Sequence, residues 1–130
     1  MFYDFPITLD ADGDKLSPIS TECVITHGIV KRVEVLFPRG CIGLVGIAID
    51  KSAHQVWPNN SGSFFISDGE TIAFDEDYPV FDKPFMMIIR GYNTDTLYPH
   101  TVHVRFLIEN VETGIKVISS LQQLRELMQV

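Results

Sequence analysis

Along most of the chain, apolar and polar residues trade places every second position. Val33, Val35 and Phe37 alternate with Arg32, Glu34 and Leu36. Val102, Val104, Phe106 and Ile108 alternate with Thr101, His103, Arg105, Leu107 and Glu109. A two-residue period puts successive side chains on opposite faces of an extended strand, so one face can be buried while the other meets water. Turn punctuation divides the pattern into about eight strands, over residues 3–9, 19–26, 29–37, 41–50, 54–57, 70–74, 85–92 and 101–109. Residues 63–66 form either a further small strand or part of a loop.

Several connections carry expectations of their own. His27-Gly28 reads as a short hairpin-like link between the second and third strands. Asp75-Glu76-Asp77-Tyr78-Pro79 reads as an acidic turn. Gly43 and Gly46 leave gaps in the fourth strand that mark a bulge or close packing. In the strand at 85–92 both alternating sets are largely apolar, which predicts cover on both faces.

Strands without interleaved helices predict an all-β fold: a two-sheet antiparallel β-sandwich, jelly-roll-like, ahead of an immunoglobulin-like order. The immunoglobulin order requires a Trp between two cysteines, whereas Trp57 follows both Cys23 and Cys41. The sandwich with its N-terminal arm is assigned to residues 1–112. Beyond it the period changes. Val117, Leu121, Leu124 and Met128 repeat at 4-3-4 spacing, one stripe on a helix. Ser120 and Gln123 fit a capping box at its start. Residues 113–130 therefore read as a linker and a short amphipathic C-terminal helix. A helix of about ten residues is too short to stand alone in water, so its stripe is the expected interface with its own sandwich, a neighbouring subunit or a partner.

Composition narrows the function classes. The 130 residues carry a net charge of -7, and only ten are Lys or Arg. Scattered cations on an acidic chain make neither a nucleic-acid footprint nor a contact for an anionic membrane surface. No run reaches the ~20 apolar residues that span a bilayer. Met1-Phe2-Tyr3-Asp4 lacks the basic region and apolar run of a signal peptide. Two cysteines make no disulfide framework, and both lie in apolar surroundings, so buried free thiols are expected.

Candidate chemistry is sparse. His100 and His103, three apart on a strand, face opposite sides and cannot share a metal from the strand itself. His27 and His54 are isolated. Asp10-Ala11-Asp12-Gly13-Asp14 opens like a calcium loop, but Lys15 replaces the required Gly and Thr21 the closing acid, so an exposed acidic turn is the first reading and a weak calcium site on Asp10, Asp12 and Asp14 the second. No nucleophile elbow and no Gly-rich phosphate loop is present. No metal, no cofactor and no catalytic set is therefore expected. Trp57, Tyr92, Tyr98 and Phe64, near loops or strand ends, are candidates for a sugar-binding surface, because aromatic rings offer flat apolar contact with a polar handle.

The runs Val33-Glu34-Val35-Leu36-Phe37-Pro38-Arg39-Gly40, Gln55-Val56-Trp57-Pro58 and Tyr98-Pro99-His100-Thr101-Val102 resemble small β-sandwich proteins of tailed bacteriophages. The resemblance covers residues 19–109. It implies a non-enzymatic virion component that decorates or stabilises the capsid or sits near its vertices. Its partner is then a capsid or other virion protein, and it acts as a homo-oligomer such as a trimer. It also implies residence in the virion after assembly in the host cytoplasm. A carbohydrate-binding β-sandwich module is the alternative.

Overall fold

The structure, a computed structural model, describes residues 1–110. It contains eight strands: β1 (Phe2–Leu9), β2 (Ile19–Val24), β3 (Gly28–Leu36), β4 (Val45–Lys51), β5 (His54–Trp57), β6 (Thr71–Val80), β7 (Met86–Asn93) and β8 (His100–Asn110). They form two antiparallel four-stranded sheets, β1-β8-β3-β6 and β2-β7-β4-β5. The fold is all-β and sandwich-like, as the alternation predicts. The C-terminal helix and its stripe Val117, Leu121, Leu124 and Met128 lie outside the described residues.

The inward members of each alternating set fill the space between the sheets. Val30, Val33 and Val35 of β3 meet Val102, Val104, Phe106 and Ile108 of β8, and Ile47, Ile49, Met87 and Ile89 close the opposite wall. Each of these is essentially without solvent contact. Full burial of one such side chain contributes about 1.5–3 kcal/mol, so this interior is the main source of cohesion.

Tertiary pairing overrides local reading at three places. His27-Gly28 is not a hairpin: β2 pairs with β7 and β3 with β6 and β8, so the chain crosses between sheets there. Gly28 suits the crossing because a Cβ on it would lie 2.3 Å from the Glu109 carbonyl oxygen. The fourth strand begins at Val45 rather than Cys41, since Ile42 and Gly43 take positive φ values of 40° and 78° and turn the chain first.

The acidic stretch after Phe74 is strand, not turn. β6 continues through it to Val80, with Glu76 and Tyr78 facing inward and Asp75, Asp77 and Pro79 outward. Polar residues hid this alternation. Asp75 pairs with Arg32 at 2.9 Å, Asp77 with Lys31, and Glu76 accepts from Trp57, so each acid has a cross-strand partner.

Residues 58–70 leave β5 and return along the edge of β4. Phe65 makes a one-residue bridge there, exchanging backbone hydrogen bonds of 2.8 and 3.0 Å with Ile47. Of the segment at 63–66, this bridge is the part that pairs. It sends Phe65 inward against Phe74 and Phe64 outward onto Tyr92.

Candidate functional site

Trp57 closes β5 opposite Ile49, which turns its side chain into the sandwich. It is 2 % exposed. Its rings rest against Tyr78, Phe74 and Phe106 at centroid distances of 5.2, 6.0 and 6.4 Å. The indole N–H donates to Glu76 Oε2 at 3.0 Å. A buried indole donor needs such an acceptor, and this one explains an inward-facing acid in β6. Two adjoining depressions open over this cluster at the margin between β5 and β6. They measure about 240 and 300 Å³ and share Trp57, Asn59 and Glu76. Their volumes lie at or below the small end of ligand pockets. With the indole faces covered and Glu76 engaged, the margin offers rims and side-chain edges, not a stacking platform.

The outer face of the β2-β7-β4-β5 sheet carries a second cluster. Arg90 grips Asp50 through two hydrogen bonds, Nε to Oδ2 at 2.6 Å and Nη2 to Oδ1 at 3.1 Å. The same Nη2 reaches Gln55 Oε1 at 2.8 Å, and the guanidinium carbon stands 5.5 Å from the Phe64 ring centroid. Gln55 in turn donates through Nε2 to the carbonyls of Pro58 and Ser63 at 2.8 and 3.1 Å. The network ties the returning segment to the sheet. Tyr92 is buried here because its ring lies across Gly46, where a Cβ would come within 2.3 Å of Cε1, and under Phe64. The expected close packing at Gly46 is therefore a slot for an aromatic ring, and burial raises the Tyr92 hydroxyl pKa.

The other outer face is ionic. Asp4, Arg105, Glu34, Arg32 and Asp75 form a continuous ladder across β1, β8, β3 and β6, at 3.5, 3.6, 3.1 and 2.9 Å between successive members. His103 joins it, 3.1 Å from Asp4. Water screens exposed pairs of this kind, so they add little stability; their effect is to keep this face solvated.

His100 points the opposite way from His103, as their spacing requires. It is 8 % exposed, and Nε2 lies 2.8 Å from Asp95 Oδ2. Asp95 Oδ1 accepts from the backbone N–H of Leu97 at 2.9 Å and more weakly from Tyr98. The Leu97 N–H, followed by the His100 contact, holds the Asp95 carboxyl below its ordinary pKa. Asn93, 1 % exposed, donates to the carbonyls of Leu9 and Tyr98 at 3.0 and 2.9 Å. These residues fasten the 94–99 loop and leave Leu97 and Tyr98 exposed at its tip.

Trp57, Tyr92 and Tyr98 are thus not brought into one surface. The first faces the core, the second lies beneath Phe64 on an outer face, and the third stands on a loop. The Trp57 and Tyr92 rings pack on neighbours, and Tyr98 is the exposed one of the three. Cys23 and Cys41 are buried free thiols, and burial pushes each to about 11. Asp14 Oδ1 accepts from the Leu16 N–H, and Asp12 adopts φ of 61°. Among the described residues, no group of three or more His, Cys, Asp or Glu is arranged to hold a metal ion, and no helix is long and apolar enough to cross a membrane.

The residues that organise these surfaces are Asp50, Gln55, Glu76, Arg90 and Asp95. Sequence reading singled out none of them as a site. For Asp50 and Arg90 the available signal was a charge at a regular position inside an apolar strand, which demands a partner. No protein-family model matches this chain, and no curated protein matches it.

Proposed function

We propose that this chain is a jelly-roll protein that acts by protein–protein assembly, as a non-enzymatic structural or attachment component of a phage virion. Strand pairing carries the reading. The first strand pairs with the eighth, the second with the seventh, the third with the sixth and the fourth with the fifth. That is one long antiparallel ribbon, and wrapping it over itself brings β8 beside β3 and β7 beside β4. Eight-stranded jelly rolls build capsid and lectin domains. An interior filled by Val, Ile, Met and Phe side chains supports a role carried by the outside of the molecule. So does the division of that outside into one ionic face and one partly apolar face.

The partner in this reading is a capsid or other virion protein. The sequence stripe Val117, Leu121, Leu124 and Met128 is its assigned contact. The experiment is to raise an antibody against the purified chain and follow it through sedimentation of virus particles from the source culture. The protein is expected to sediment with the particles at a stoichiometry of many copies. Its recovery only in the particle-free fraction overturns the assignment. The alternative, a carbohydrate-binding module, would have to use the β5–β6 margin, where Asn59 and Glu76 supply polar rims beside Trp57. A glycan array is the direct check on that reading.

A further inference from the structure

Among the described residues the two sheets present four edge strands, and three of them carry prolines or register shifts. Met1 exchanges backbone hydrogen bonds with Ile108, and in the register that follows the odd positions of β1 point their backbone groups toward β8, so even positions face the open edge. Pro6 therefore removes a donor from that edge. The β6 edge carries Pro79, a register shift and the exposed acids Asp75 and Asp77. The β5 edge is four residues long and also shifts register. Short strands, prolines and irregularities are how proteins keep sheet edges from pairing.

β2 has no proline and no register shift within it, and Glu22 is its one exposed charge. It runs regularly from Ile19 to Val24 against β7. Ile25 donates to the Phe85 carbonyl at 3.0 Å in the same register, so odd residues point their backbone groups toward β7. Ser20, Glu22 and Val24 consequently point theirs outward. Ile19 and Val24 stand 56 % and 70 % exposed on this strand.

We propose that β2 pairs with β2 of a second copy of this chain, antiparallel about a two-fold axis at Thr21. This inference rests on the assembly reading and specifies its geometry. The sequence selects the register. Facing side chains must share a sheet face, so the axis must fall on a residue rather than between two. An axis at Glu22 sets Glu22 against Glu22, and like charges directly opposite are destabilising. An axis at Thr21 sets Ser20 of one copy against Glu22 of the other, where they exchange backbone hydrogen bonds. It also places Thr21 beside its own copy and Ile19 beside Cys23. The two sheets become one continuous sheet, joined by a self-complementary two-fold contact.

The test uses the full chain. Sedimentation of the wild type over a concentration series is expected to show monomer and dimer in exchange. Thr21→Cys is expected to cross-link under mild oxidation to twice the monomer mass. Residues opposite each other at a non-hydrogen-bonded position have Cα atoms about 4.5 Å apart, within disulfide reach. Ser20→Cys is the control: diagonal neighbours lie about 7–8 Å apart, and it should stay uncrosslinked. Ser20→Pro removes a donor that faces away from β7, so it should fold normally by circular dichroism while weakening association at least tenfold. A monomeric wild type overturns the proposal. So does a dimer that neither cross-links through Thr21→Cys nor responds to Ser20→Pro. A cross-linked dimer absent from sedimented particles instead overturns the virion reading alone.

Discussion

Removing the Asp50 carboxylate is the sharpest probe of how the outer cluster is held. Asp50 has 12 % of its side chain exposed and Arg90 has 25 %, and the two are joined by two hydrogen bonds. Deleting one partner of a buried pair costs about 3–5 kcal/mol, because the remaining charge is left without its counterion. Arg90 keeps a quarter of its side chain in water, the Gln55 oxygen and the Phe64 ring. Water screens part of the loss, so Asp50→Ala should cost about 2–3 kcal/mol. A domain of this length has a stability of roughly 0.05–0.15 kcal/mol per residue, so the variant should still fold, with Tm lowered by roughly 10 °C.

The decisive comparison is a double-mutant cycle with Arg90→Met measured by urea denaturation. If Asp50→Ala acts by stranding Arg90, the double variant Asp50→Ala/Arg90→Met should be more stable than additivity requires. The expected coupling is about 1–2 kcal/mol. Additive losses, or an Asp50→Ala cost below about 0.5 kcal/mol, would refute the reasoning. In that case the cluster contributes packing alone.

Two further outcomes follow from the buried ionisable groups. The carboxyl of Asp95 titrates below its ordinary range, held down by the Leu97 N–H and His100. Such a group stabilises the fold above its unfolded pKa, and that contribution is lost as pH falls through the lower folded value. Asp95→Asn should therefore lower Tm at neutral pH, and the gap to wild type should close as pH drops below about 4; a gap independent of pH contradicts this. Cys23 and Cys41, with pKa raised to about 11, should resist thiol reagents at neutral pH and react after denaturation. Rapid labelling of either thiol in the folded protein counts against their burial.

Much of the sandwich was legible in the order of residues. Val33, Val35 and Phe37, and Val102 through Ile108, declared their strands because each inward position is apolar and the outward ones, Leu36 and Leu107 apart, are polar. The cysteines declared themselves by their apolar neighbours. The second half of β6 was not legible, because its inward positions include Glu76 and its outward ones include Asp75 and Asp77. An acid there is compatible with a strand only once Trp57, Arg32 and Lys31 arrive from other strands. The roles of Trp57 and Tyr92 were hidden for the same reason. An aromatic residue at a strand end reads alike whether it meets water or a facing ring.

By itself, then, the sequence determined which segments are extended and which of their faces avoid water, since alternation is a property of consecutive residues. Only the tertiary structure decided which strands are neighbours, where the chain crosses between sheets, and which strands lie at the sheet edges. Those follow from pairings between residues far apart in the chain. Gly28 beside Glu109, Gly46 beneath Tyr92 and Asp50 against Arg90 are each contacts that no local pattern encodes.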